Sequence, residues 1–92
     1  MKSFEFENES YELIKDYKDC FDIEVVNHLF TDYFKVFDYV FGDIAYGKLR
    51  LKGFYDPKNK KVSKINDFGN IDEYIKKQCA YDCSYFILKK IK

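Results

Sequence analysis

The chain reads as an α+β domain, a mainly antiparallel sheet with two helices on one face, in the order ββαββαβ. Three observations predict this. Segments such as Phe4-Glu-Phe-Glu and Leu49-Arg-Leu-Lys alternate apolar and charged residues with period two, which marks half-buried strands. Two other stretches, about 21–34 and 71–79, space their apolar residues at helical intervals. The joints between these segments are rich in Gly, Pro, Asn and Asp.

The elements follow in order. Phe4-Glu-Phe-Glu is a strand, Asn8-Glu-Ser10 a turn, and Tyr11-Glu-Leu-Ile-Lys-Asp-Tyr17 the returning strand, with glutamates on the solvent side. Asp19 or Asp22 caps the first helix, because a carboxylate there accepts from free backbone N–H groups. Val25, Val26, Leu29, Phe30, Tyr33 and Phe34 give that helix a wide apolar stripe. Residues 38–55 form a strand pair with its turn at 43–47. Leu49 and Leu51 point toward the helices, and Lys48, Arg50 and Lys52 toward solvent.

Gly42 and Gly47 are expected to bracket the turn, and Gly53 to mark a bulge or a close backbone approach. Residues 56–69 read as a mobile basic loop with a short extended piece at 62–65. Asn70-x-x-Glu73 resembles a capping box opening the second helix. Ser84-Tyr-Phe-Ile-Leu is apolar at successive positions and predicts an interior strand. Without its first strand the order is the split βαβ succession of ferredoxin-like sandwiches.

Ninety-two residues make one domain, 1–92. A hydrophobic fraction of 47%, with 21% aromatic residues, suffices for a core without staples. No apolar run approaches the roughly 20 residues of a membrane-spanning helix. The N-terminal residues lack a signal peptide's apolar segment, so a cytosolic location is expected. Cys20, Cys79 and Cys83 are an odd set, too few for a disulfide framework. Cys79-x3-Cys83 with Cys20 and His28 nominally makes a zinc set, but packed thiols at a helix–strand junction are the expectation. No metal or other cofactor is predicted.

Net charge is zero, yet residues 1–46 carry four lysines against eleven carboxylates, a net of −7. Residues 47–92 carry twelve cations against five carboxylates, a net of +7. The two halves either interleave and pair across one sheet or present separate surfaces.

No phosphate loop, nucleophile elbow or zinc-protease helix is present, which argues against an enzyme. The candidate binding residues are Asp43, Tyr46, Lys48, Arg50, Lys52 and Phe54. Arg50 is the only arginine in a lysine-rich chain, so a planar bidentate donor is needed there, for a ligand or for an acidic neighbour. Asp43 either braces the turn or joins the site. Lys48, Arg50, Lys52 and the loop lysines suit phosphates, and Phe54 and Tyr55 supply aromatics for stacking.

The stretch Gly42-Asp43-x-x-Tyr46-Gly47-x-Leu49-Arg50-Leu51-Lys52-Gly53-Phe54 resembles the signature of the YutD-like family of small bacterial proteins. Tyr11-Glu-Leu-Ile-x-Asp-Tyr17, Asp38-Tyr39 and Cys79-x3-Cys83-x-Tyr85-Phe86-x-Leu88-Lys89-Lys90 extend the resemblance over most of the chain. Where the family pattern often has Trp-Gly after Gly-Asp, this chain has Ile44-Ala45. The resemblance implies a small cytosolic bacterial protein and brings no assigned chemistry. Two expectations follow: a module that binds RNA or a ribonucleoprotein through the cationic strand and loop, or one that docks a protein through the acidic hairpin or the aromatic turn.

Overall fold

The computed structural model describes residues 2–78 and 84–91. Five antiparallel strands, β1 (Lys2–Phe6), β2 (Glu9–Tyr17), β3 (Tyr39–Ala45), β4 (Lys48–Phe54) and β5 (Tyr85–Lys90), form one sheet in the spatial order β1-β2-β5-β3-β4. Two helices, α1 (Ile23–Leu29) and α2 (Ile71–Gln78), complete the α+β architecture. No helix among the described residues is long and apolar enough to cross a membrane.

β5, read from its sequence as an interior strand, lies at the centre between β2 and β3. Phe86 and Leu88 enter a core with Phe6, Tyr11 and Val40, closed by Val26 and Phe30 at α1. Ile87 enters a second core with Phe41 and Phe54, closed by Ile71, Tyr74 and Ile75 of α2. Successive residues of a strand point to opposite faces, so the two helices cover opposite faces rather than one. The result is three layers, not the two of a ferredoxin-like sandwich. The reason lies in β3 and β5, whose consecutive positions are apolar. Two helices on one face would leave Phe41, Phe54 and Ile87 in water, at about 2 kcal/mol each.

Local chemistry shapes the rest. The first hairpin turns one step earlier than expected, at Glu7 and Asn8, both with positive φ (50° and 66°). Helix α1 starts where Asp22 accepts from the N–H groups of Glu24 (3.0 Å) and Val25 (3.4 Å). It ends at Leu29, short of the expected 34, because Phe30 and Thr31 are extended and a separate 3-10 turn, Asp32–Val36, follows. A second 3-10 turn, Phe68–Asn70, leads directly into α2, so the cap there is Asp67 rather than Asn70. Asp67 accepts from the Gly69 N–H at 2.7 Å.

The 56–66 segment is mostly turns, with no strand at 62–65, and Asp67 makes an isolated parallel bridge to Tyr55. The segment is tied down at both ends. The buried Asp38 carboxylate accepts from the Asp56 N–H (2.8 Å) and the Asn59 side-chain amide (3.0 Å). Tyr55 donates its N–H to the Asn66 carbonyl and accepts from the Phe68 N–H. Tyr39 and Phe68 stack with ring centroids 3.6 Å apart.

Candidate binding face

Tyr46 and Gly47 form a two-residue turn with φ of 53° and 76°, the type I′ geometry that matches strand twist. This turn sets Asp43 opposite Arg50, Phe41 opposite Lys52 and Tyr39 opposite Phe54. Opposed residues share a face, so Asp43, Lys48, Arg50, Lys52 and Phe54 all lie on the α2 side, with Tyr46 at the apex. Five of the six predicted residues are thus gathered on one face of the hairpin and the sixth at its end. Two expectations need correction. Asp43 lies inside β3, 3% exposed, rather than in the turn itself, and Gly42 is a strand residue under the Phe86 ring. Gly53 is the predicted close approach, made by the Phe37 ring.

Arg50 donates from Nε to Oδ1 of Asp43 (3.2 Å) and from Nη2 to Oδ2 (2.7 Å). The acidic neighbour is therefore an aspartate directly across the hairpin. The carboxylate's hydrogen bond and charge raise the guanidinium pKa. Two of the five N–H donors are used in this contact, while about half of the arginine side chain stays exposed (52%).

Lys52 sits with Nζ 5.4 Å from the Phe54 ring centre and 5.8 Å from that of Tyr74. Phe54 is 2% exposed and meets Phe41 and Tyr74 edge-on. It is a core residue here, and its ring is not open for stacking. Tyr74 of α2, which was not among the candidate binding residues, joins the cluster. Burial and the nearby Asp43 charge raise its pKa, and Arg50 opposes the rise. Beside Tyr74, Lys52, Lys64, Ile65 and Lys77 line a groove of about 770 Å³.

A second hollow, about 540 Å³, opens on the α1 side of β4 between Val25, Leu29 and Leu49. Val25 and Leu29 were expected in the core. Instead they are about 40% exposed, because the short α1 buries only Val26 of its residues.

The charge asymmetry is in part paired across the sheet. Glu12 lies opposite Lys89 where β2 meets β5, so acidic and basic halves pair there. The cationic β4 forms one edge of the sheet, and β1, with one lysine and one glutamate, forms the other.

Cys20 is half-buried, its thiol pushed up to about 11 by burial and the nearby Asp16 charge. His28 is exposed on α1. Cys79 and Cys83 lie outside the described residues, and so does the expectation that they are packed thiols.

Comparison with known proteins places these features in a family. Residues 5–89 match the family model described as "Putative antitoxin YutD-like". "Putative antitoxin YutD" of Bacillus subtilis (strain 168) is 40% identical over 86 residues, 94% of each chain. The solution NMR structure of protein YutD from B. subtilis shares the fold with a TM-score of 0.83 at 37% identity, covering 100% of this chain and 84% of that one. The match over nearly the whole sequence, together with the common fold, shows that this chain belongs to the YutD-like family.

Proposed function

We propose that the chain is a non-catalytic binding module that engages a protein partner through the Tyr46 turn. The observation that carries this reading is the state of Tyr46. Its side chain is fully exposed, yet its backbone is held at φ 53°. A bulky residue in the left-handed region costs on the order of 1–2 kcal/mol, and Asn or Gly fits the position better. Full exposure means that no packing within the fold offsets this cost. Tyrosine is a residue that carries binding energy at interfaces, because it brings large rigid area at low entropic cost. The name of the B. subtilis relative, "Putative antitoxin YutD", supports a protein partner over catalysis. The same reading assigns the chain to the cytosol, where a free thiol such as Cys20 persists.

Binding to RNA or a ribonucleoprotein is the second reading. It is favoured by the exposed Lys48 and the exposed loop lysines Lys58, Lys60, Lys61 and Lys64. Affinity capture of the tagged chain, with and without nuclease, separates the two. A stoichiometric protein that survives nuclease supports the first reading. Loss of everything captured on nuclease treatment supports the second.

A further inference from the structure

We infer that the edge of β4, unpaired among the described residues, is a strand-addition site for an extended protein segment that alternates acidic and apolar residues. The inference rests on the protein-partner reading and names the partner's chemistry beside the Tyr46 turn.

Three observations converge. First, β4 is an edge strand, and an edge presents backbone N–H and C=O groups to a further strand. Loop residues Ile65 and Asn66 line one hollow with Leu51, Lys52 and Gly53 at the far end of β4, so the open stretch is 48–50. It lies directly after the turn.

Second, the two faces of that stretch differ. On the α2 face stand Lys48, Arg50 and, next along, Lys52. Opposite charges on neighbouring strands attract, so the added strand carries carboxylates there. Arg50 is already oriented by Asp43 and loses little freedom on meeting another carboxylate. Third, the α1 face at the same edge holds the hollow of Val25, Leu29 and Leu49, a mainly apolar surface whose lining also includes Glu24, His28 and Lys48. The alternate side chains of an added strand fall on that side, and apolar ones cover this surface. A period-two segment with acids on one side and aliphatic residues on the other satisfies both faces at once.

Lysines on an edge strand also guard against pairing between copies, since two β4 edges would set cation against cation. The apolar hollow distinguishes the cases, because a guard has no use for exposed Val25 and Leu29 beside it. The chain's own β1, with Glu5 between Phe4 and Phe6, has the complementary pattern. Its Phe4 and Phe6 are already packed into the core of their own chain, so a separate partner is the occupant.

The probe is a short blocked peptide of alternating glutamate and valine, titrated against the full chain by calorimetry or NMR. Binding is expected, with shifts confined to β4, Val25 and Leu29. An alternating lysine–valine peptide should not bind, and Lys48→Glu should weaken the acidic peptide roughly tenfold. Two N-methylated versions of the acidic peptide test the backbone pairing without touching the protein. Methylation on the alternate residues that face β4 should abolish binding, and methylation on the other set should not. Equal binding of both methylated forms, no binding of the parent peptide, tighter binding of a single-stranded oligoribonucleotide at the same edge, or occupation of that edge by a second copy in sedimentation would overturn the inference. The Tyr46-dependent capture of a protein partner could still stand, so the two readings fail separately.

Discussion

Asp43 and Arg50 face each other across the β3–β4 hairpin, joined by two hydrogen bonds between a buried carboxylate and a half-exposed guanidinium. Removing Arg50 takes two hydrogen bonds and a nearby cation away from that buried carboxylate. Arg50→Met should therefore cost on the order of 1–2 kcal/mol, less than for a fully buried pair because water screens the guanidinium. Arg50→Lys should recover only part of the loss, since a single ammonium does not reproduce the two-pronged contact. Urea unfolding of the two variants checks the order.

The glycines separate into two kinds. A Cβ on Gly42 would run into the Phe86 ring, and one on Gly53 into the Phe37 ring. Gly42→Ala and Gly53→Ala should each lower stability by about 3 kcal/mol, as overpacked cores do. Gly47 has open space around it and a φ of +76°. Gly47→Asn should be nearly neutral, because asparagine tolerates that backbone. Equal losses at all three positions would contradict this account of the packing.

Tyr11 is fully buried, and among the described residues its hydroxyl has no hydrogen-bond partner. Tyr11→Phe should thus raise stability at neutral pH by about 1 kcal/mol. Burial, helped by the Glu9 charge, pushes the phenol up to about 12 from its usual 10.0. Below pH 10 both folded and unfolded chains keep the proton. Above it the unfolded chain loses the proton first, so stability falls by roughly 1.4 kcal/mol per pH unit until the folded pKa is reached. Tyr11→Phe should remove that component of alkaline unfolding. An unchanged alkaline profile would assign it elsewhere.

Asp38 ties the 56–67 segment to the sheet through the Asp56 N–H and the Asn59 amide. Asp38→Ala should cost about 1–2 kcal/mol by stranding the Asp56 N–H. Faster hydrogen exchange at Asp56, with β5 unaffected, would be the local signature.

Much of this architecture is legible in particular residues. Phe86, Ile87 and Leu88 in succession mark an interior strand, and Asp22 marks a helix start. The placement of the helices on two faces was implicit in the same residues. A strand apolar on both sides needs cover on both, and that requirement outweighs the familiar pattern of two helices on one face. The site was less legible because two glycines bracket 42–47 and only one of them turns the chain. Once Tyr46 and Gly47 are the turn, Asp43 must oppose Arg50. A tyrosine in the left-handed region runs against local preference, so propensity pointed elsewhere. Nothing in the sequence distinguishes Val25 and Leu29 from core residues. Their exposure follows from where α1 stops.

The most direct measurement pairs the stability of Tyr46→Asn with its capture of partner after nuclease treatment. Asparagine suits the turn better than tyrosine, so the variant should unfold at equal or higher urea concentration. If Tyr46 is a recognition residue, the same variant should lose the nuclease-resistant protein that the original chain retains. Undiminished capture of that protein by a fully folded Tyr46→Asn would contradict the account.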